Sequence, residues 1–125
     1  MENIFFRTDK FAPYLPEDSQ VNPNVFGFEL AHWLSLELAK SGVVTSYPIA
    51  EDWGWFLEYN VDGREYMICC NGLENDNQEY EWRVDLQRPK SFFRKPVVNE
   101  DDENFLISKI TECLEKSGIV IEIET

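Results

Sequence analysis

The sequence has little positive charge. Lysine and arginine together number 11 among its 125 residues, whereas aspartate and glutamate number 24, so the formal net charge is -13. Such an excess of carboxylates repels nucleic-acid phosphates and anionic lipids and attracts basic proteins, although it also serves solubility alone. The charge therefore argues against direct binding to nucleic acid or to a membrane, and it favours a basic protein as partner.

Patterns that carry chemistry are also missing. The three cysteines are odd in number and show no CxxC spacing, and His32 is the single histidine, so neither a disulfide framework nor a metal site is indicated. His32 falls beside the apolar face of a predicted helix, where a boundary position explains it better than a ligand role. Without a glycine-rich phosphate loop or a GxSxG elbow, we expect no metal, no cofactor and no catalytic residue.

No apolar run approaches the length of a membrane span, and the first residues lack the basic and apolar regions of a signal peptide. Together with free thiols, this predicts a cytoplasmic protein. The length suits one domain, and a hydrophobic share of 43% is enough to form a core. We therefore expect residues 1–125 to form a single α+β domain.

Residues 51–70 predict a central hairpin. The dipeptide Asp62-Gly63 separates two runs rich in β-branched and aromatic residues, and it is typical of a two-residue type I′ turn. A turn at this point places Trp55 opposite Cys70 and so determines which side chains of the two strands share a face.

Two helices are predicted. Apolar residues at helical spacing begin at Phe26, after Asn22 or Asn24 as a cap, and stop at Gly42. The second helix follows the acidic run 100–103 and also ends at a glycine.

Alternating apolar and polar residues predict a strand from Tyr80 to Gln87 with one buried face. Weaker patterns predict short edge strands at 4–6, 43–47 and 119–123, and residues 71–77 predict a polar turn. These elements together predict an α+β fold, in which two helices pack on one face of a mostly antiparallel sheet of four to six strands with a central hairpin.

The most distinctive local sequence is Glu51-Asp52-Trp53-Gly54-Trp55. Tryptophan is a frequent anchor at protein interfaces, and a glycine between two tryptophans lets another backbone or a ligand approach closely. Alternatively, both tryptophans fill the core, because residues two apart on a strand share a face. We expect Trp55 to be the more important of the two for stability.

An acidic surface is the predicted partner-binding site. It comprises Glu51, Asp52, Trp53, Glu74, Asp76, Glu79, Glu81 and Asp85, and the acidic run Glu100 to Glu103 is expected to adjoin it. Carboxylates of this kind steer a basic partner, and a few desolvated aromatic contacts then supply affinity. We expect a non-enzymatic binding protein of the immunity-protein or nuclease-inhibitor type. One alternative is a small-ligand-binding or enzymatic domain with a pocket near Trp53, Trp55 and the basic Arg88–Lys95 loop. Another is a structural subunit whose sheet edge pairs with itself.

Three segments in order, Phe26–Leu34, Lys40–Val43 and Pro48–Trp55, carry a resemblance. Their sequence resembles small uncharacterised bacterial single-domain proteins that have a helix-glycine-strand unit followed by a Glu-Asp-Trp-Gly-Trp motif. The resemblance covers about residues 22 to 70. It implies a bacterial single-domain protein and identifies no catalytic residue.

Overall fold

Two helices cover one face of an antiparallel sheet in the computed structural model, which describes residues 3–11, 25–74, 80–88 and 99–124. In chain order, these residues form β1 (Asn3–Arg7), β2 (Val25–Phe26), α1 (Phe28–Lys40), β3 (Ile49–Glu51), β4 (Gly54–Val61), β5 (Arg64–Glu74), β6 (Tyr80–Gln87), α2 (Glu100–Lys116) and β7 (Ile121–Glu124). Six strands follow one another in the order β3-β4-β5-β6-β1-β7, and the two-residue β2 pairs with the end of β5. The predicted α+β architecture is confirmed.

The central hairpin is formed by β4 and β5 with the expected register. Trp55 lies opposite Cys70, and the pairing continues without a slip to the turn. Asp62 and Gly63 both have positive φ, at 49° and 79°, as a type I′ turn requires. Because a shift of one residue would exchange the two faces, this turn decides which side chains meet the helices.

The core lies between the helices and the sheet. Each helix contributes one stripe of side chains with no solvent exposure, and the strands contribute alternate residues. Burying an aliphatic side chain of this size contributes about 1.5–3 kcal/mol relative to leaving it exposed. The fully buried aliphatic residues include Ile4, Leu30, Leu34, Leu38, Leu57, Ile68, Val84, Leu106, Ile110 and Leu114.

The beginning of α1 differs from the sequence prediction. The N-cap position is Gly27, which makes no side-chain capping hydrogen bond. Asn22 and Asn24, the predicted caps, lie outside the described residues. Phe26 belongs to β2, where it pairs with Gly72 of β5. Strand pairing therefore delays the start of the helix by two residues, and local sequence preferences do not reveal such a long-range contact.

The ends of both helices follow the prediction. Gly42 and Gly118 have positive φ, at 86° and 83°. The next residues, Val43 and Ile119, donate their N–H groups back to carbonyls of the last helical turn and are buried. The chain is thereby turned back towards the sheet after each helix.

Three strand predictions need correction. Residues 4–6 lie in β1, which is internal to the sheet between β6 and β7, and not at an edge. Residues 43–47 form no strand; Ser46 instead donates its N–H to the Glu58 carbonyl at 2.9 Å. Residues 71–74 extend β5, so the polar turn predicted over 71–77 does not begin at residue 71. The edge position of β7 is confirmed.

An ion-pair network fastens the N-terminus of α2 to β5. Arg64 donates to both carboxylate oxygens of Asp102, from Nε at 2.5 Å and from Nη2 at 3.1 Å, and the Tyr66 hydroxyl donates to Asp102 Oδ2 at 2.6 Å. The Asn99 side chain caps the helix by accepting the Asp102 N–H at 3.0 Å. One carboxylate therefore links the first turn of the helix to the start of the strand.

Electrostatics keep this network in one protonation state at neutral pH. The hydrogen bond from Arg64, supported by one from Tyr66, lowers the pKa of the Asp102 carboxyl below its ordinary value. Burial and the neighbouring carboxylate raise the pKa of Tyr66 to about 12. Arg88, just after β6, forms a second link by donating to Glu103. The helix is thus held to β5 through Asp102 and to the end of β6 through Glu103.

We expect Asp102→Asn to lower the free energy of unfolding at pH 7 and to lose this effect in acid. The folded pKa of Asp102 lies below the unfolded value, about 3.9 for aspartate, so its stabilisation is complete above that value and is lost as the pH falls through the folded pKa. Urea unfolding between pH 7 and pH 2 measures the difference. Asp101→Asn, at an exposed position in the same helical turn, is the control. Equal and pH-independent losses in both variants would contradict the assignment.

Candidate partner-binding face

The sheet face turned away from the helices is rich in charge. Side chains alternate between the two faces along each strand, so the neighbours of the core residues project to this side. We call it the open face. On β1 and β4 to β7 its charged residues are Glu58, Glu65, Glu81, Asp85, Glu122 and Glu124, together with Arg7 and Arg83, and Glu51 adds a carboxylate at the end of β3.

Two arginines compensate only part of this negative charge. Arg7 Nη2 lies 2.7 Å from Glu81 Oε1, and Arg83 Nε lies 3.6 Å from Asp85 Oδ1. The other carboxylates are exposed, and none of them forms an ion pair with a basic group of the described residues. On β4, β5 and β7 they are Glu58, Glu65, Glu122 and Glu124.

Carboxylates on the helical side form ion pairs with nearby basic residues more often than those on the open face do. Asp102 and Glu103 bond to arginines of the sheet, as described above. Glu37 and Glu112 lie 2.8 and 3.8 Å from lysines three residues away on their own helices. The remaining acidic residues of the first turn of α2 sit near the positive end of the helix dipole. Among the described residues, the open face therefore carries four exposed carboxylates without an ion pair on β4, β5 and β7, and α2 carries three, Glu100, Asp101 and Glu115.

The turn between β3 and β4 brings a tryptophan to the open face. Trp53 is 38% exposed, and its ring centroid lies 6.0 Å from that of Phe56. Gly54 has a φ of 151°, and a Cβ there would lie 2.2 Å from the end of the Asn71 side chain. Glycine therefore allows the turn to lie directly against β5.

Asn71 connects this turn to the charged strands. Its amide fits with the nitrogen donating to the Trp53 carbonyl at 2.7 Å and the oxygen accepting from Arg83 Nη2 at 3.2 Å. Arg83 is in turn beside Asp85. The turn, β5 and β6 are thus joined by one polar chain, which holds Trp53 in place at the side of the open face.

A groove crosses the open face. Its first part, about 330 Å³, lies between Trp53, Asn71 and Arg83, with Phe5 and Glu81 at its far side. Its second part has a volume of about 620 Å³. That part is lined by Phe5, Phe6, Arg7, Glu81, Trp82, Val120, Glu122 and Glu124. The two parts share lining residues, and we call the whole the open-face groove.

Asp85 is not a surface carboxylate, although the alternation of β6 puts it on the polar side. It is 8% exposed, and its neighbours across the sheet are Asn3 and the fully buried Cys69. Gln87 donates to Asp85 Oδ2 at 3.1 Å, whereas Oδ1 accepts no hydrogen bond in the described part of the chain. A central strand with neighbours on both sides buries a residue that alternation alone would expose. Asp85 is therefore unsuited to steer a partner.

The two adjacent thiols of β5, Cys69 and Cys70, are buried on opposite faces of the sheet. Burial, followed by the charge of Asp85, raises the pKa of Cys69 to about 12. Burial also raises the pKa of Cys70 well above its ordinary value. All three cysteines are free, and within the described ranges no three histidine, cysteine or acidic side chains are grouped so that they could hold a metal ion. Among the described residues, the open face therefore offers exposed charge and an aromatic surface, and the raised pKa values of Cys69 and Cys70 disfavour the thiolate form.

The predicted partner-binding residues are only partly brought together. Trp53 and Glu81 both line the open-face groove, Glu51 is exposed at the end of β3, and Asp52 is exposed in the adjoining turn. Glu74 ends β5 opposite Tyr80 of β6. Two further predicted members, Asp76 and Glu79, lie outside the described residues.

Sequence reasoning missed the carboxylates at the other end of the groove. Glu122 and Glu124 alternate with isoleucines in β7, and this pattern was visible in the sequence. What could not be seen was the pairing of β7 with β1, which sets Glu122 opposite Phe5.

The described residues of the alternative pocket lie on different sides of the sheet. Trp55 is half-buried on the helical side of the sheet, where its ring centroid lies 5.1 Å from that of Phe28, whereas Trp53 lies on the open face. Arg88 bonds to Glu103 of α2. The rest of the basic loop, residues 89–95, lies outside the described residues.

Comparisons of the chain with protein-family models, with curated proteins and with solved structures found no match. The resemblance to small bacterial proteins stays a prediction for this reason. Among the described helices, neither is both long and apolar enough to cross a membrane. The function must therefore be inferred from the geometry and charge of the site.

We expect alanine substitutions at Trp55 and Trp53 to lower the free energy of unfolding by different amounts. Trp55→Ala removes a ring packed against the core and should cost about 3 kcal/mol, whereas Trp53→Ala at the open face should cost about 1 kcal/mol or less. Chemical denaturation of both variants measures these losses. Equal losses would contradict the assignment of the two residues to opposite faces.

Proposed function

We propose that this protein is a cytoplasmic, non-enzymatic binding protein whose open face engages a basic protein, as an immunity protein or a nuclease inhibitor does. One observation carries the proposal: four exposed carboxylates without a basic partner among the described residues share a face with an exposed tryptophan. Interfaces of acidic inhibitors combine these two elements, because charge speeds association and aromatic contacts slow dissociation.

The burial and ion pairing of the carboxylates favour the open face over the helical side as the binding surface. On the helical side, Asp102 and Glu103 hold the fold together and are not available to a partner without loss of their bonds to arginine. On the open face, Glu58, Glu122 and Glu124 make no such bond within the described residues. Their charge is therefore free to act on an approaching molecule, and neutralising it should leave the fold intact.

Trp53 is expected to act after the partner has bound, by slowing its dissociation. Its ring is partly exposed beside the groove, and the Asn71 bond to its carbonyl fixes the backbone below it. A side chain that is already ordered loses little conformational entropy when a partner covers it. Truncation of Trp53 should thus raise the dissociation rate more than it lowers the association rate.

The charge proposal is tested with a partner captured from the native host and identified by mass spectrometry. We expect the variant Glu58→Gln/Glu122→Gln/Glu124→Gln to associate about tenfold more slowly at low salt, because long-range attraction is reduced. The difference should disappear towards roughly 0.5 M salt, where the screening length is a few ångströms. Stopped-flow or surface-based kinetics over a salt series measures both effects.

The matched control removes the same charge from the helical side. Glu100→Gln/Glu112→Gln/Glu115→Gln changes three exposed residues of α2, and its association rate should fall much less. Equal slowing of association in the two triple variants would show that the net charge of the protein, and not the open face, determines the association rate. An association rate independent of salt, or a captured partner that is acidic, would contradict the proposed function.

A further inference from the structure

We infer that the outer edge of β7 receives an extended segment of the basic partner, which adds to the sheet as a further strand and alternates basic with apolar residues. The inference rests on the proposed function and specifies how the partner is held. It follows from the unpaired edge of β7 and from the two kinds of side chain that alternate along this strand.

β7 ends the sheet on its side. It pairs with β1, and no strand of the described residues pairs with its other edge. In an antiparallel ladder, alternate residues direct their N–H and C=O groups to the same neighbour, so the remaining residues of β7 present theirs outwards. Such groups are a template for another strand, and extended peptides bind many proteins in this way.

The opposite edge of the sheet is less suited to this pairing. β3 has three residues and directly follows Pro48, which has no N–H group and is typical of protected edges. Ser46, two residues earlier, already donates its N–H to the carbonyl of Glu58 on β4. Residues 119–124 contain no proline. The edge of β7 is therefore the more accessible of the two for a new strand.

Side chains of β7 are exposed on both faces of the sheet. Ile123 on the helical side is 47% exposed, and Val120, which directly precedes the strand, is 85% exposed. Glu122 and Glu124 are exposed on the open face, where they line the second part of the open-face groove together with Val120. An added strand would cover the apolar side chains and lie beside the two carboxylates.

The carboxylates determine which strand fits. Directly opposite residues of neighbouring strands project on the same face, where opposite charges attract and like charges repel. A basic residue is therefore favoured opposite Glu122 or Glu124, and an apolar residue is favoured opposite Ile123. Arg7 of β1 lies one strand further into the sheet and is paired with Glu81 at 2.7 Å. Because acidic and apolar positions alternate in β7, basic and apolar positions alternate in the added strand.

A second copy of this chain is a poorer occupant of the edge. If two β7 strands paired antiparallel with their open faces continuous, glutamate would lie opposite glutamate in the two registers of largest overlap. Two chains that each carry a net charge of -13 also repel each other at a distance. The edge therefore disfavours self-association and favours a basic strand.

Synthetic peptides test the strand addition. The probe is the acetylated and amidated peptide Lys-Val-Arg-Val-Lys-Val, and the comparison peptide has the same residues in the order Lys-Arg-Lys-Val-Val-Val. Binding to the full chain is measured by calorimetry at about 50 mM salt, where charge contacts are only partly screened. We expect the alternating peptide to bind about tenfold more tightly, because its order places all the cations on one face of a strand.

Methylation of the peptide backbone tests the hydrogen bonds separately. An added strand uses one of its two edges, and N-methyl groups on the three basic residues or on the three valines block opposite edges. We expect one of these two methylated peptides to bind about tenfold more weakly than the parent, and the other to keep its affinity. Equal affinity of the two methylated peptides would overturn the inference.

Charge-reversed variants of the protein locate the contact. Glu122→Lys/Glu124→Lys should weaken binding of the alternating peptide about tenfold and should bind its acidic counterpart, in which glutamate replaces each basic residue. The control Glu112→Lys/Glu115→Lys changes the net charge equally at exposed positions of α2, and its loss should be much smaller. The methylated peptides require no change in the protein, so the test does not depend on the stability of these variants.

Three further results would overturn the inference: equal affinity for the alternating and comparison peptides, equal losses in the two charge-reversed variants, or a dimer of the free chain that the peptide dissociates. The last result would make a second copy the occupant. Each leaves the proposed function to its own test, because charge steering of the whole partner by the open face requires no added strand. Loss of salt-dependent association with the whole partner would instead remove the proposed function itself.

Discussion

The register of the β4–β5 hairpin is the constraint on which the rest of the molecule depends. Asp62 and Gly63 adopt the positive φ values of a type I′ turn, and the pairing runs from that turn to Trp55 opposite Cys70. A slip of one residue would send the buried aliphatic residues to the open face and the charged ones to the helices. The two faces of the sheet therefore owe their different chemistry to this short turn.

The acidic residues serve two separate purposes on the two sides of the sheet. On the helical side, Asp102 binds Arg64 and Tyr66 and so joins α2 to β5, and its lowered pKa reflects that use. On the open face, the exposed carboxylates of Glu58 and Glu122 have no comparable bond in the described structure. Of the acidic residues behind the net charge of -13, some therefore hold the fold together and others are exposed. Only the exposed carboxylates can attract a basic molecule from a distance.

Local chemistry allowed some features to be predicted from the sequence, and long-range pairing explains those that were missed. The turn at Asp62-Gly63 and the end of α1 at Gly42 depend on residues a few positions apart, so both were predictable. The internal position of β1 and the burial of Asp85 depend on strands distant in sequence, as does the opposition of Phe5 and Glu122. For the same reason the sequence pointed to Trp53 and Glu81, which line the groove, but not to β7 as its far end.

Carboxylate labelling of the free and partner-bound protein tests the central claim most directly. Carbodiimide coupling followed by mass spectrometry reports the accessibility of each acidic side chain. The account predicts that binding protects Glu58, Glu122 and Glu124, while labelling of the exposed helical residues Glu100 and Glu115 stays unchanged. Protection of the helical residues with continued labelling of the open face would contradict it.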